Sequence, residues 1–221
     1  MIPILFTSGK GGVGKTTAAV NFAYALAKRG LRVSFLDADF MAPNAHLYFG
    51  IEHGELQEAG RRLTPLKVNE RIEFMGLGAF IPKAVGVALN HEKVAELVTV
   101  LLRHVAWSGD YLVIDCPPSS VDVNVKLLEE LRGVARAVLV GEPHAFAIED
   151  NLRMADLLNL YDVELRAVVL NKCNLFRGCE EALELYKRML GVPVVRVDWD
   201  PELQVKPKPE LFEELVQYVV G

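Results

Sequence analysis

The sequence is poor in cysteine: Cys116, Cys173 and Cys179 are the three among 221 residues. So few, and an odd number, exclude a scaffold built on disulfides and lead to the expectation of reduced thiols. Long hydrophobic runs are missing as well. No stretch approaches the ~20 apolar residues that a membrane-spanning helix needs. Positive charge is in deficit, with 24 Lys and Arg against 29 Asp and Glu and a formal net charge of -5. That balance argues against a chain whose main task is to grip bare nucleic acid, so no nucleic-acid partner is expected. Met1-Ile2-Pro3-Ile4-Leu5-Phe6 carries no basic leader, which sets the expectation of a cytoplasmic protein. Repeats, low-complexity tracts and linkers are absent too, and one domain over residues 1–221 is the economical reading.

What is present is an alternation. The pattern predicts strands over Ile2–Thr7, Arg32–Leu36, Ile72–Leu77, Tyr111–Ile114, Ala137–Val140 and Leu165–Leu170, with a further apolar stretch at Val192–Val195. Helices are predicted over Thr16–Lys28, His91–His104, Ala147–Leu158, Glu180–Leu190 and Pro209–Val219. Residues 51–70 read as a polar, irregular surface excursion. Strands apolar on both faces that alternate with helices imply an α/β fold, a mainly parallel sheet with helices on both faces. Ligands in such folds bind beyond the carboxyl ends of the strands.

Gly9-Lys10-Gly11-Gly12-Val13-Gly14-Lys15-Thr16 stands at such an end, between a strand and a helix, and fits G-x-x-x-x-G-K-[ST]. Its glycines let successive N–H groups of Gly11, Gly12, Val13, Gly14, Lys15, Thr16 and Thr17 turn toward phosphate oxygens. Lys15 is the expected partner of the β and γ oxygens, and Thr16 the expected hydroxyl ligand of Mg²⁺. The second lysine, Lys10, makes the loop K-G-G-x-G-K-[ST]. In this the chain resembles the deviant Walker A group of P-loop ATPases, the Mrp/MinD family. The resemblance implies the P-loop NTPase fold, ATP and ADP as ligands, Mg²⁺-dependent ATP hydrolysis, and a homodimer in the ATP state in which Lys10 acts across the interface. A solvated loop cation is the alternative for Lys10.

Asp37, Asp39 and Asp115 end predicted strands on the same edge as the loop. Carboxylates there can hold Mg²⁺ through its waters and position an attacking water, or can simply cap the next helix. By resemblance, Asp39 orients the hydrolytic water, Asp37 supports the metal shell and Asp115 is the Walker B residue. Asp115-Cys116-Pro117-Pro118-Ser119-Ser120-Val121-Asp122, with Trp107 upstream, is similar to the family's D-L-P-P-G-T-G-D switch. Ser119 and Val121 replace two of its glycines and leave that loop less freedom. Cys116 reads as packing.

Asn171-Lys172-Cys173-Asn174 follows a strand where GTPases carry N-K-x-D. Asn174 cannot accept both charge-assisted bonds that a guanine edge offers, whereas Asn171 can pair with adenine, so ATP is expected over GTP. Lys172 joins the nucleotide-binding set. By resemblance, the segment Val197-Asp198-Trp199-Asp200-Pro201 flanks the base.

Mrp-type iron–sulfur carriers usually have a C-x-x-C near their end. This sequence has Cys173-x5-Cys179 instead. Two readings stand for it. Cys173, Cys179 and His144 could hold a soft or borderline metal such as nickel or zinc, or share in an iron–sulfur cluster across a dimer. Alternatively they are ordinary loop cysteines and a helix-entry histidine. The spacing is also similar to that of the archaeal ATP-type HypB branch, which serves hydrogenase maturation.

The function expected is a dimeric ATPase switch in metallocentre maturation, nickel hydrogenase or iron–sulfur, with a metallochaperone or metalloprotein client. The competing class is a spatial-positioning ATPase of MinD/ParA type acting on membrane or DNA. Glu210, Glu213 and Glu214 on the last helix oppose anionic lipid, so no stable membrane anchor is expected. A small-molecule synthetase on the same scaffold has no distinctive residue here.

Overall fold

The computed structural model describes residues 1–80, 91–118 and 121–221. In chain order the elements are β1 (Ile2–Thr7), α1 (Lys15–Lys28), β2 (Val33–Asp37), α2 (Ala45–Tyr48), β3 (Gln57–Ala59), β4 (Arg62–Thr64), β5 (Leu66–Lys67), β6 (Ile72–Gly76), α3 (His91–His104), β7 (Tyr111–Asp115), α4 (Val121–Glu130), β8 (Arg136–Gly141), α5 (Ala145–Leu160), β9 (Glu164–Leu170), α6 (Cys179–Leu190), β10 (Val194–Arg196) and α7 (Glu213–Val220). The main sheet runs β10-β9-β8-β1-β7-β2-β6-β5. Each pairing in it is parallel except β5 with β6.

The alternation along each strand divides the core in two. Ile4 and Phe6 of β1 face α1 and α7 together with Phe22, Leu26, Phe212 and Leu215. Leu5 faces the other way, with Val98 of α3, Leu127 of α4, Leu158 of α5 and Leu183 of α6. Helix α1 is packed almost all round, as its run of alanines, Val20, Phe22 and Leu26 requires, because a helix without a polar face must be buried. Strand β1 therefore lies in the middle of the sheet, and the loop leaving it opens at the centre of the strands' carboxyl edge.

The elements depart from expectation in several places, the short helix α2 among them. Residues 51–70 are not wholly irregular: β3 and β4 form an antiparallel hairpin, and β5 adds an antiparallel edge strand to β6. These strands are two or three residues long and mostly exposed, so they carry no apolar period to read. Helix α4 was not foreseen between the fourth and fifth predicted strands, although Val123, Leu127 and Leu131 fall one turn apart and are buried. The closing helix is split into a 3-10 turn at Pro209–Phe212 followed by α7. Ser119 and Ser120, where the switch was read from sequence, lie outside the described residues.

The expectation of reduced thiols is also corrected. Cys173 and Cys179 are joined in a disulfide, with Cα atoms 5.4 Å apart. Cys116 is the free cysteine and is buried. Two cysteines were too few to read as a framework, but a pair six residues apart, bracketing a loop that turns back on itself, can close locally.

Candidate functional site

The loop between β1 and α1 is held by contacts that admit little substitution. The Gly9 N–H donates to Asn151 Oδ1 of α5 at 2.9 Å, and a Cβ on Gly9 would meet the Asp150 carbonyl oxygen at 2.2 Å. Gly14 has φ +95°, and a Cβ there would meet Asn171 Nδ2 at 2.3 Å. That same Nδ2 donates to the Val13 carbonyl at 2.9 Å. Lys172, itself in the left-handed region at φ 58°, donates from Nζ to the Gly12 carbonyl at 2.8 Å and pairs with Glu142. Asn171 and Lys172 thus brace the loop from the end of β9.

The loop opens on a cavity of about 690 Å³ whose walls include Gly12, Gly14, Lys15, Thr16, Thr17, Asp39, Asn171 and Lys172. Its far wall is made by Trp199, Asp200, Leu203 and Val205, and its side by Asn44, Leu47 and Tyr48, with the Tyr48 hydroxyl 3.1 Å from Thr17 Oγ1. Lys15 is 6% exposed. Burial lowers its pKa, with partial support from the carboxylates of Asp115 and Asp39. A desolvated ammonium at the mouth of an N–H-lined loop suits a polyphosphate.

Asp115 ends β7 beneath Lys15. Its carboxyl is pushed up to about 7, chiefly by burial, with the Thr16 hydrogen bond and Lys15 working against the rise and Asp39 adding to it. One of its oxygens, Oδ1, is buried without a hydrogen-bond partner. An orphaned carboxylate oxygen beside the Thr16 hydroxyl fits the hard, oxygen-only donor set of hydrated Mg²⁺. Asp39 lines the cavity and fixes its own loop by accepting from the Ala42 N–H at 3.1 Å.

Asp37 stands behind the wall. It is fully buried, is not among the lining residues, and accepts from the N–H groups of Asp39 and Ala45, each at 3.1 Å. Through these bonds Asp37 shapes the β2–α2 connection that presents Asp39. Burial and the Asp115 charge raise its pKa well above the carboxylate range.

These two carboxyls give a signed pH dependence. A folded-state pKa above the unfolded value means that the folded chain binds more protons in the window from 3.8 to about 7. Stability of the ligand-free protein is therefore expected to fall as pH rises through that window. Asp115→Asn should remove its own share of the slope and part of that of Asp37, which keeps the part that burial causes. Thermal melts of both proteins across pH check this; an unchanged slope in the variant would remove Asp115 as a source. Mg-nucleotide affinity should run the other way and rise with pH, because the metal shell needs the ionised carboxylate.

Lys10 is exposed, with Nζ 3.3 Å from His144 Nε2. His144 caps α5 by accepting the Ala147 N–H on Nδ1, and its Nε2 is 3.3 Å from Glu142 Oε2. The proposed transition-metal set is not assembled. Cys173 and Cys179 are bonded to each other, His144 packs on the Phe176 ring at 5.6 Å, and no group of three metal-ligating side chains occurs among the described residues. A disulfide offers no thiolate to a metal.

Asn174 is occupied as well. It donates to the Trp199 carbonyl at 3.1 Å and accepts the Trp199 N–H at 2.7 Å, so it builds the far wall and does not face a base. Asp198 pairs with Arg196, leaving Trp199 and Asp200 of that segment on the cavity. Three contributors were not read from sequence. Glu142 follows the end of β8 on the same edge as the aspartates and could have been found by that position. Asn151 and Tyr48 sit within or at the end of helices and carry no local signal.

A parallel sheet whose central strand feeds a phosphate loop, with Lys15, Thr16 and Asp115 gathered at its edge, defines a P-loop nucleotide-binding protein. The family model described as ParA, NUBPL iron-transfer P-loop NTPase, matches residues 2–196, and the chain belongs to that family. It is 28% identical over 211 residues to the cytosolic Fe-S cluster assembly factor NUBP2 homolog of Culex quinquefasciatus, covering 92% of this chain and 82% of that protein. It is 32% identical over 162 residues to the iron-sulfur cluster carrier protein of Methanocaldococcus jannaschii, covering 71% of this chain and 56% of that one. Among solved structures, the nucleotide-binding protein of Archaeoglobus fulgidus in complex with ADP superposes with a TM-score of 0.75 at 27% identity, covering 96% of this chain and 86% of that chain.

Proposed function

We propose that this chain is an Mg²⁺-dependent ATPase switch that closes as a homodimer on ATP and serves metallocentre assembly, with an iron–sulfur protein or metallochaperone as its client. The observation that carries the nucleotide part is the buried Lys15 and the half-buried Thr16 beside the orphaned Asp115 oxygen at the mouth of the phosphate loop. Thr16 and the waters held by Asp115 would carry Mg²⁺, which supplies charge neutralisation of the β and γ phosphates. Asp39 is assigned to orient the attacking water. Asn171 Nδ2 is spent on the Val13 carbonyl, which leaves its Oδ1 to accept from a base, and Asn174, held by the Trp199 backbone, supplies no acceptor for the two donors of a guanine edge, which supports adenine.

The metallocentre part rests on the relatives named above. With Cys116 buried and the other two cysteines bonded together, the oxidised chain presents no thiolate to a cluster, so the cargo is assigned to the client. The narrower assignment to nickel-hydrogenase maturation stood on the same cysteines and gains no further support. Membrane positioning is disfavoured because Leu215, Val216 and Val219 of α7 are buried in the core.

Lys10 is assigned to the partner's nucleotide in the closed dimer. The test is Asp39→Ala under saturating ATP. It should bind ATP with near-parental affinity, hydrolyse it at least roughly 100-fold more slowly, and run as a dimer by light scattering. A monomer under those conditions would sink the dimer switch. Delivery of iron and sulfide to an apo-cluster protein, faster with ATP than with ADP, checks the client class.

A further inference from the structure

The Cys173–Cys179 bond sits where two supports of the phosphate loop meet. Cys173 directly follows Asn171 and Lys172, whose side chains hold the Val13 and Gly12 carbonyls. Its own N–H donates to the Val197 carbonyl at 3.2 Å, two residues before Trp199 of the cavity wall. Cys179 is the first residue of α6. From that helix the fully buried Tyr186 puts its hydroxyl 3.1 Å from Asn151 Nδ2, and Asn151 Oδ1 accepts the Gly9 N–H. One end of the disulfide is thus continuous with the brace on residues 12–13, and the other with the brace on residue 9.

We infer that Cys173–Cys179 is a redox-active pair whose state sets the affinity of the phosphate loop for nucleotide, tight when oxidised and weak when reduced. The inference rests on the nucleotide-binding reading of that loop. Opening requires an external dithiol. One of its thiolates attacks Cys179 sulfur, the Cys173–Cys179 bond breaks, and Cys173 leaves as a thiolate and is protonated. The second thiolate of the reductant then attacks the mixed disulfide and releases Cys179, which is protonated in turn. Two electrons and two protons pass to the pair, and the reductant leaves as its own disulfide. With Cys173 2% and Cys179 7% exposed, attack needs the first turn of α6 to loosen. Freed of the crosslink, the turn at Cys173–Leu175 and the start of α6 move independently, and the two braces no longer act together. Linkage is reciprocal, so bound nucleotide should also slow reduction of the pair.

The test compares the full chain, oxidised and after dithiothreitol, with thiol counting under denaturing conditions. Cys116 alone should react before reduction and all three cysteines after it. Affinity for a fluorescent ADP analogue with Mg²⁺ should be roughly 5-fold or more tighter in the oxidised chain. Cys173→Ser/Cys179→Ser should match the reduced parent and ignore reductant. Amide exchange of residues 9–17 without nucleotide should be faster in the reduced chain. Equal affinity with equal exchange in the two states overturns the inference, as does a reductant effect that persists in the double variant, or three reactive thiols before reduction. If neither state binds nucleotide while exchange still differs, the coupling stands and the nucleotide reading falls.

Discussion

Lys15→Ala is expected to abolish nucleotide binding, with affinity for Mg-ADP falling by roughly 150- to 5000-fold. The side chain is 6% exposed, so in the ligand-free protein its charge is already out of water and only partly supported by Asp115 and Asp39. A polyphosphate entering the cavity supplies the missing anion. Removing one partner of such a desolvated pair costs about 3–5 kcal/mol, since the phosphate oxygens then lie buried beside Asp115 without their cation. The loss should not come from unfolding. Truncating a lysine that is poorly solvated in the free state removes a desolvation penalty along with its contacts, and the melting temperature of the ligand-free variant should stay close to the parent's. Calorimetric titration with Mg-ADP is the measurement, and a dissociation constant within threefold of the parent's would refute the site. Lys10→Ala is the matched comparison. Lys10 is exposed and its neighbour is the His144 ring, so nucleotide binding by the single chain should survive its loss.

The contrast between these two lysines shows what the sequence made legible. The spacing of Gly9, Gly14, Lys15 and Thr16 between a strand and a helix is a local signal, and the structure places it at the carboxyl edge as the chain pattern required. The parallel sheet was equally open to reading, because strands apolar on both faces carry the same message at each position. What was missed is non-local. Asn151 secures Gly9 from 142 residues away, and nothing around it in sequence marks it apart from other helical asparagines. Asp37 and Asp39 differ by two residues on one strand end and look alike in sequence, yet one sits behind the wall and the other lines it, because residues two apart part ways once the strand gives way to a loop. Asn174 stands in the position of a base reader but is consumed by the Trp199 backbone, a contact that depends on where a second segment passes. The cysteine pair misled for a related reason. Spacing alone fits a metal clamp and a local disulfide equally, and the path of the loop decides between them.

Among the described glycines, Gly9→Ala is expected to be strongly damaging, for a reason separate from phosphate chemistry. The added Cβ would lie 2.2 Å from the Asp150 carbonyl oxygen and 2.6 Å from the Asp150 Cβ. The carbonyl is backbone of α5, which cannot rotate away like a side chain, so loop or helix must shift by more than an ångström. That shift breaks the Gly9 N–H bond to Asn151, whose other contacts run to the Val140 carbonyl and the Tyr186 hydroxyl in the core. Overpacking against a helix backbone with the loss of a buried hydrogen bond costs about 3 kcal/mol or more. For a chain of this size that corresponds to a fall of roughly 6–12 °C in melting temperature, measured without ligand. Gly12→Ala separates collision from backbone strain. Nothing lies within 4 Å of its added Cβ, but its φ is +79°. It should carry only the left-handed penalty of about 1–2 kcal/mol and melt well above Gly9→Ala. Near-parental melting of Gly9→Ala would show that α5 does not press on the loop as the structure has it, and would remove Asn151 and Tyr186 as supports of the nucleotide site.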